Sequence, residues 1–477
     1  MDQRKTPLYD ALLQHEKKQP ISFHVPGHKN GLIFNEHHMF NEISKYDVTE
    51  LSGLDDLHAA EGVIFQAELL LANLYKVKRS FFLINGSTVG NLAMILSSFQ
   101  EGDCVLVQKN SHKSIMNGLI LAGVKPIFIS PEYDEDMQTA GGILVDDIIN
   151  ALDQFQNIKG IILTYPNYYG KTYNLKQIIQ IAHKKQIPVL VDEAHGPHFI
   201  LGEPFPPSAV SLGADIVVHS AHKILPAMTM GSFLHFNSEL LNIDRLISFL
   251  QILQSSSPSY PIMASLDLAR SYLATFNSYD KGYTIKEVSG FVHQLKQLSP
   301  LTVIEDQSKD PLKITIRHPN ITGFTLQRYL EEEGIYPELA DIQNVLLIAP
   351  LLKNKQNYPF DDTIEKIKVV LTKINSTEHS IHSLNNSIKN INEKFSIIKY
   401  SYKELSKMDS YWVLISESIG KIAADSIIPY PPGIPYILLG EEITEKKVEI
   451  LEVLIKEGYR FHGGIKIKEK KIKVFNS

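Results

Sequence analysis

The sequence predicts an α/β protein whose major domain carries a mainly parallel, seven-stranded sheet, followed by a smaller α+β domain and a C-terminal α+β domain. Three observations predict it. Seven short apolar runs recur between Ser80 and Phe236: SFFLI (80–84), CVLVQ (104–108), PIFIS (126–130), GIILT (160–164), PVLVD (188–192), DIVVH (215–219) and GSFLHF (231–236). They are β-branched and nearly continuous, as strands buried on both faces should be. Amphipathic stretches such as NLKQIIQIAHKKQ (174–186) separate most of them, and that alternation argues a parallel sheet with crossover helices.

The remaining elements follow in order. Residues 1–46 read as an N-terminal segment and 47–270 as the major domain, whose last part, from 236 onward, has longer helical spacing. Residues 271–375 mix strand-like DPLKITIRH (310–318) with helix-like TGFTLQRYLEEEG (322–334), the smaller α+β domain. The Ser- and Asn-rich stretch around 376–394 reads as a linker. Residues 395–477 form the C-terminal domain, ending in IKIKEKKIKVF, whose alternation predicts an amphipathic strand with a solvated lysine face.

Composition narrows the function classes. The 477 residues are 44% hydrophobic and 21% charged, with a formal net charge of -6; a dedicated nucleic-acid binder would be basic. The single cysteine, Cys104, gives no internal disulfide and fits a reducing cytoplasm. No signal-peptide core and no apolar stretch of about 20 residues, the length a membrane span needs, is present, so a soluble cytoplasmic protein is expected.

In an open α/β sheet, ligands bind beyond the carboxyl ends of the strands. Four polar segments follow strands directly. INGSTVGN (84–91) offers a glycine turn, the hydroxyls of Ser87 and Thr88, and a helix N-terminus, all suited to a phosphate; its plain reading is an ordinary N-cap. KNSHKS (109–114) offers His112, either a ring to stack on a flat cofactor or a surface histidine. VLVDEAHG (189–196) matches the DEAH box of ATP-driven helicases in letters, but the phosphate loop GxxxxGK[ST] that such enzymes need is absent from the chain. A metal set of Asp192, Glu193, His195 and His198 lacks a ligand-pair motif. Asp192 reads better as a carboxylate ending a buried strand, where it needs a cationic partner. SAHK (220–223) places Lys223 after a buried strand, beside Ser220 and His222. Its plain reading is a structural lysine paired with an acid; its chemical reading is a nucleophile for carbonyls. Together, a phosphate cup, a ring stacker, a buried carboxylate and an imine-forming lysine describe a pyridoxal phosphate (PLP) site.

These residues resemble the PLP-dependent ornithine/lysine/arginine decarboxylases of aminotransferase-like fold (fold type I). The match runs through FHVPGHKNG (23–31), DVTELSGLDDLHAAEG (47–62), FFLINGSTVGN (81–91), VDEAHG (191–196), SAHKILPAMT (220–229), SSSPSYPIMASLDLAR (255–270) and YPPGIPYILLGEE (430–442), the last a marker of the family's C-terminal domain. The resemblance implies that Lys223 holds PLP as a Schiff base, Asp192 pairs with the pyridine nitrogen, Ala194 packs under the ring and His112 stacks above it. Ser87, Thr88, Ser220 and His222 would bind the phosphate, with His195 among the cofactor-binding residues. Lys223 or His222 would reprotonate Cα. Ser256 would contribute to the neighbouring subunit's site in a homodimer, and Glu441 would face the substrate's distal amine or guanidinium. The chain resembles the short Gram-positive branch without the extra N-terminal domain, which favours arginine among the basic amino acids as substrate of a polyamine pathway.

Two positions depart from the pattern: Met230 stands where a glutamine is common, and Leu439 replaces a common proline before Gly440. The acidic cluster Glu50, Asp55 and Asp56 could line a pocket or cap a helix. An aminotransferase or another amino-acid lyase of the same fold is the alternative, with Arg270 the arginine to check for a carboxylate grip. A non-catalytic PLP-binding paralogue is the third reading.

Overall fold

The computed structural model describes residues 1–34, 38–374, 394–430, 435–456, 460–464 and 466–476. The fold is mixed α/β with a large, mainly parallel sheet. The chain divides into two compact units, each made of two stretches: Met1–Ser98 with Ala182–Asn277, and Phe99–Ile181 with Ser278–Ser477.

In the first unit, strand Val189–Asp192 lies parallel to Ile216–His219, which lies antiparallel to Ser232–Phe236, which in turn lies antiparallel to Arg79–Leu83. The strands Val189–Asp192, Ile216–His219 and Ser232–Phe236 are buried at every residue, which explains why apolar residues dominate them. Ser232–Phe236 reverses direction for a local reason. The segment joining it to Ile216–His219 holds a single 3-10 turn, Ala221–Lys223, and no crossover helix to return the chain for parallel pairing. Helix Gly86–Ser98 packs on helix Ile243–Leu253, and helix Pro7–Lys17 on Val63–Tyr75 and Tyr260–Ala274. Gly90 permits one close approach: a Cβ there would lie 2.6 Å from Leu83 Cδ1 and 2.8 Å from Val218 Cγ1.

In the second unit, Cys104–Gln108 lies between Lys125–Ile129 and Ile158–Thr164, parallel to both. Strand Phe395–Ile397 pairs antiparallel with Lys125–Ile129. All seven apolar runs of the sequence are thus strands. The 310–318 run gives strand Lys313–Arg317, inside an antiparallel sheet ordered Thr302–Ile304, Lys313–Arg317, Asn344–Ile348, Leu339–Ala340. The 322–334 stretch gives helix Gly323–Glu332. A separate apolar cluster gathers Val413, Ile427, Ile437, Leu451 and Val474 near the C-terminus.

The terminal IKIKEKKIKVF is not one strand. Ile467–Glu469 forms a 3-10 turn, Lys470 takes a left-handed φ of 55°, and only Lys471–Phe475 pairs, with Ser410–Leu414. The left-handed residue breaks the alternation that extended backbone requires. The expected linker 376–394, except Lys394, and residues 431–434 of the YPPGIP marker lie outside the described residues. Among the described residues, no helix is long and apolar enough to cross a membrane.

Candidate active site

The first unit carries Asp192 and His195 at the end of strand Val189–Asp192, Ser220, His222 and Lys223 after the neighbouring strand Ile216–His219, and Ser87 in the first turn of helix Gly86–Ser98. Strand Ile216–His219 ends, Ser220 follows, and the turn Ala221–Lys223 closes with Lys223 N–H donating to Ser220 O at 3.1 Å. The half-buried Lys223 puts Nζ 2.9 Å from His195 Nε2. An ammonium can only donate, so the imidazole accepts at Nε2. A histidine is thus one partner of this amine.

Asp192 is 3% exposed. Its Oδ2 accepts from the Asn91 amide at 2.9 Å and its Oδ1 from the Ala194 N–H at 3.2 Å. Both partners are neutral, so the cationic partner expected of this carboxylate is not supplied by them. A buried carboxylate held by neutral donors fits a protonated ring nitrogen arriving from a ligand. Asn91 was overlooked in the sequence; its signal was its place at the end of the same INGSTVGN segment, one helical turn beyond Ser87 and Thr88.

Gly86, at φ +78°, makes the turn from strand Arg79–Leu83 into helix Gly86–Ser98, a conformation open to glycine. Its N–H donates to Met230 O at 3.0 Å. Ser220 Oγ donates to Ser87 Oγ at 2.7 Å, which joins the two hydroxyls from segments 133 residues apart. Thr88 is exposed beside them. His222 Nδ1 lies 3.0 Å from Gly231 O, so its proton sits on Nδ1. Ser256 is exposed, in the segment that follows helix Ile243–Leu253.

Behind this face runs a buried chain that the sequence reading did not find. Glu193 accepts from Ser208 Oγ and His219 Nε2, each at 2.7 Å; His219 Nδ1 meets His235 Nε2 at 3.1 Å; His235 Nδ1 meets Ser80 Oγ at 2.8 Å. All are at most 1% exposed. Burial, then the neighbouring His219, hold His235 well below the usual imidazole value. The signal was present as single polar letters inside SFFLI, DIVVH and GSFLHF.

Arg270 is fully buried. It donates to Asp267 Oδ1 and Gln3 O, each at 2.6 Å, and to Lys5 O, fixing the segment that precedes helix Pro7–Lys17. Asp55 accepts from the N–H groups of Gly62 at 2.8 Å and Ile64 at 2.9 Å, and Asp56 accepts from His58 N–H at 2.8 Å. Both are caps. Among the described residues, no group of three His, Cys, Asp or Glu could hold a metal.

The second unit carries His112 and Glu441. His112 caps helix Lys113–Ala122, its Nδ1 taking the Ser114 N–H at 3.3 Å and lying 2.8 Å from Ser114 Oγ. Glu441 is 4% exposed and meets Lys109 Nζ at 2.6 Å and Lys447 Nζ at 2.9 Å, while its Oε2 accepts from the Leu438 N–H at 3.0 Å. Burial pushes its carboxyl upward, but the two lysines and that N–H outweigh burial and hold it below the usual carboxylate value.

The fold that carries this lysine after a buried strand, the buried carboxylate ending the next one and the hydroxyl-lined helix N-terminus is that of the fold type I class. The family model for the Orn/Lys/Arg decarboxylase major domain matches residues 6–305, and that for the family's C-terminal domain matches 384–463. The chain belongs to the Orn/Lys/Arg decarboxylase family. YaaO of Bacillus subtilis is 45% identical over 487 residues, covering 98% of both chains. An arginine decarboxylase of Bacillus subtilis is 32% identical over 468 residues, 94% of each chain. The crystal structure of Francisella novicida lysine decarboxylase LdcF superposes with a TM-score of 0.82 at 22% identity, covering 98% of this chain and 81% of that one.

Proposed function

We propose that the chain decarboxylates a basic amino acid with PLP, arginine favoured over lysine and ornithine, giving the corresponding amine and carbon dioxide for polyamine synthesis. The observation that carries the reading is the pair formed by Lys223 in its post-strand turn and Asp192, buried with neutral partners, on the neighbouring strand.

PLP, when bound, supplies the electron sink that accepts the pair left by the broken Cα–carboxylate bond. The other tasks fall to the chain. Lys223 offers the amine that anchors the cofactor's aldehyde, and His195 holds that amine in place. Asp192 keeps the ring nitrogen protonated through a charge-assisted bond, roughly twice as strong as a neutral one. Ser87, Thr88, Ser220 and His222, with the first amides of helix Gly86–Ser98, take the phosphate. By the family resemblance, Ala194 would pack under the ring and His112 would stack over it. Lys223 or His222 returns a proton to Cα, so one C–C bond breaks and one C–H bond forms.

The preference for arginine rests on relatives of that name at 32% identity. Ornithine and lysine differ by a methylene, worth only about 1–3 kcal/mol in a pocket. No observation favours an aminotransferase, since Arg270 is spent on Asp267 and two backbone carbonyls. The same reading takes the protein as a cytoplasmic homodimer in which Ser256 reaches the neighbouring site. The association of two chains is supported by exposed apolar side chains between Ile21 and Phe40, among them Phe23 at 94% and Met39 at 73%.

The test is carbon dioxide release by the PLP-loaded protein from arginine, lysine and ornithine separately. Release from arginine well above the other two is expected. Lys223→Ala should lose both turnover and the cofactor's near-visible absorbance; a variant that keeps both overturns the reading.

A further inference from the structure

Glu441 has two ammonium groups on one oxygen, Oε1, from Lys109 and Lys447. Gly440, at φ +83°, turns the chain before it, and Ala423 N–H donates to Glu441 O at 2.9 Å, so the carboxylate is held from its own backbone as well. Both lysines pair with this one carboxylate. A cationic substrate end approaching this carboxylate would have to expel a lysine and would meet the other at close range, which is unfavourable. The carboxylate is poorly arranged to read a substrate's ammonium or guanidinium.

It is well arranged to hold a loop. Lys109 is the first residue after strand Cys104–Gln108, and its N–H donates to Ile129 O at 2.8 Å. Its Nζ also reaches Ser396 Oγ at 3.3 Å. Three residues later stands His112. Between them, Ser111 is fully buried, donates its N–H to Gln108 O at 3.2 Å and takes Thr164 Oγ1 at 3.1 Å, while Gln108 Nε2 donates to Asn110 Oδ1 at 2.8 Å. A segment tied at every residue transmits a shift at Lys109 to the ring of His112 instead of absorbing it.

We infer that Glu441 is a positioning residue: through Lys109 it fixes the Lys109–His112 loop and so sets where the His112 ring lies. The inference rests on the proposed role of His112 as the group stacked on PLP.

The experiment uses the full-length, PLP-loaded protein and the variants Glu441→Gln, Lys109→Met, Lys109→Arg and the Glu441→Gln/Lys109→Met double. The first readouts are taken without substrate: near-visible circular dichroism of the bound cofactor and PLP retained after dialysis. kcat and KM for arginine, lysine and ornithine follow. Glu441→Gln and Lys109→Met should each change the dichroism and lower kcat about tenfold or more, as a displaced catalytic group does. The double should be no worse than either single, since both cut one connection. Lys109→Arg should restore the wild-type signal, and the ratios of KM among the three substrates should stay unchanged in every variant. A Glu441→Gln protein with wild-type dichroism and kcat, but KM for one substrate raised about tenfold as for a lost charged hydrogen bond, overturns the inference. Variants identical to wild type in all readouts overturn it too. If the wild type releases carbon dioxide from none of the three, the decarboxylase reading fails alone, and the substrate-free dichroism still decides the role of Glu441.

Discussion

Lys223, Asp192 and Gly90 show what a single residue's letter carries. Lys223 was recognisable because a lysine directly after a buried strand is costly unless used. Asp192 was recognisable for the same reason, but its partners were not: the amide of Asn91 lies 101 residues away in sequence. Gly90 had no legible signal, because its requirement comes from Leu83 and Val218, which the chain brings together only on folding. Gly90→Ala should cost about 1–3 kcal/mol as an overpacked contact and weaken PLP retention, since Gly90 adjoins Asn91. Gly282 is the control: it sits in helix Ser278–Lys296 with nothing within 4 Å of an added Cβ. Gly282→Ala should stabilise by about 0.5–1 kcal/mol. Urea midpoints of the two variants measure both; equal shifts of the same sign would contradict the packing account.

At the scale of elements, the seven strands were legible because full burial leaves no polar face to interrupt the hydrophobic run. Strand direction was less so: the connection after Ile216–His219 carries the site and not a crossover helix. Glu68 shows what a helix–strand contact adds. It lies in helix Val63–Tyr75, 3% exposed, accepting from Phe82 N–H at 3.0 Å and Arg79 at 3.3 Å. Burial pushes its carboxyl up to about 7, against the pull of the Phe82 N–H and Arg79. The folded protein therefore binds this proton more tightly than the unfolded chain, so the group's stabilising contribution is complete below about 4.5 and is lost as pH rises to about 7. The loss is at most about 3.5 kcal/mol, at about 1.4 kcal/mol for each pH unit. Melting wild type and Glu68→Gln from pH 4.5 to 7.5 should show the wild type losing ground to the variant as pH rises; parallel curves would remove Glu68 as the cause.

For the whole molecule, the apolar side chains exposed between Ile21 and Phe40, with Ile21 at 86% and Leu32 at 71%, exceed what scattered surface residues require. Light scattering of the purified protein should give the mass of two chains, and Phe23→Asp with Ile33→Asp should shift it towards one; a monomeric wild type contradicts the homodimer. The sequence by itself determined the α/β class and the strands, because strands buried on both faces and the turns that end them leave local patterns; it also singled out the residues of the candidate site. Tertiary structure decided the partners: His195 for Lys223, Asn91 for Asp192, Lys109 and Lys447 for Glu441, Asp267 for Arg270. It also decided that each compact unit is built from two separate stretches. Except for the Asp267–Arg270 pair within one helix and the Glu441–Lys447 pair six residues apart, these choices join segments distant in sequence, and only the folded chain fixes which donor meets which acceptor.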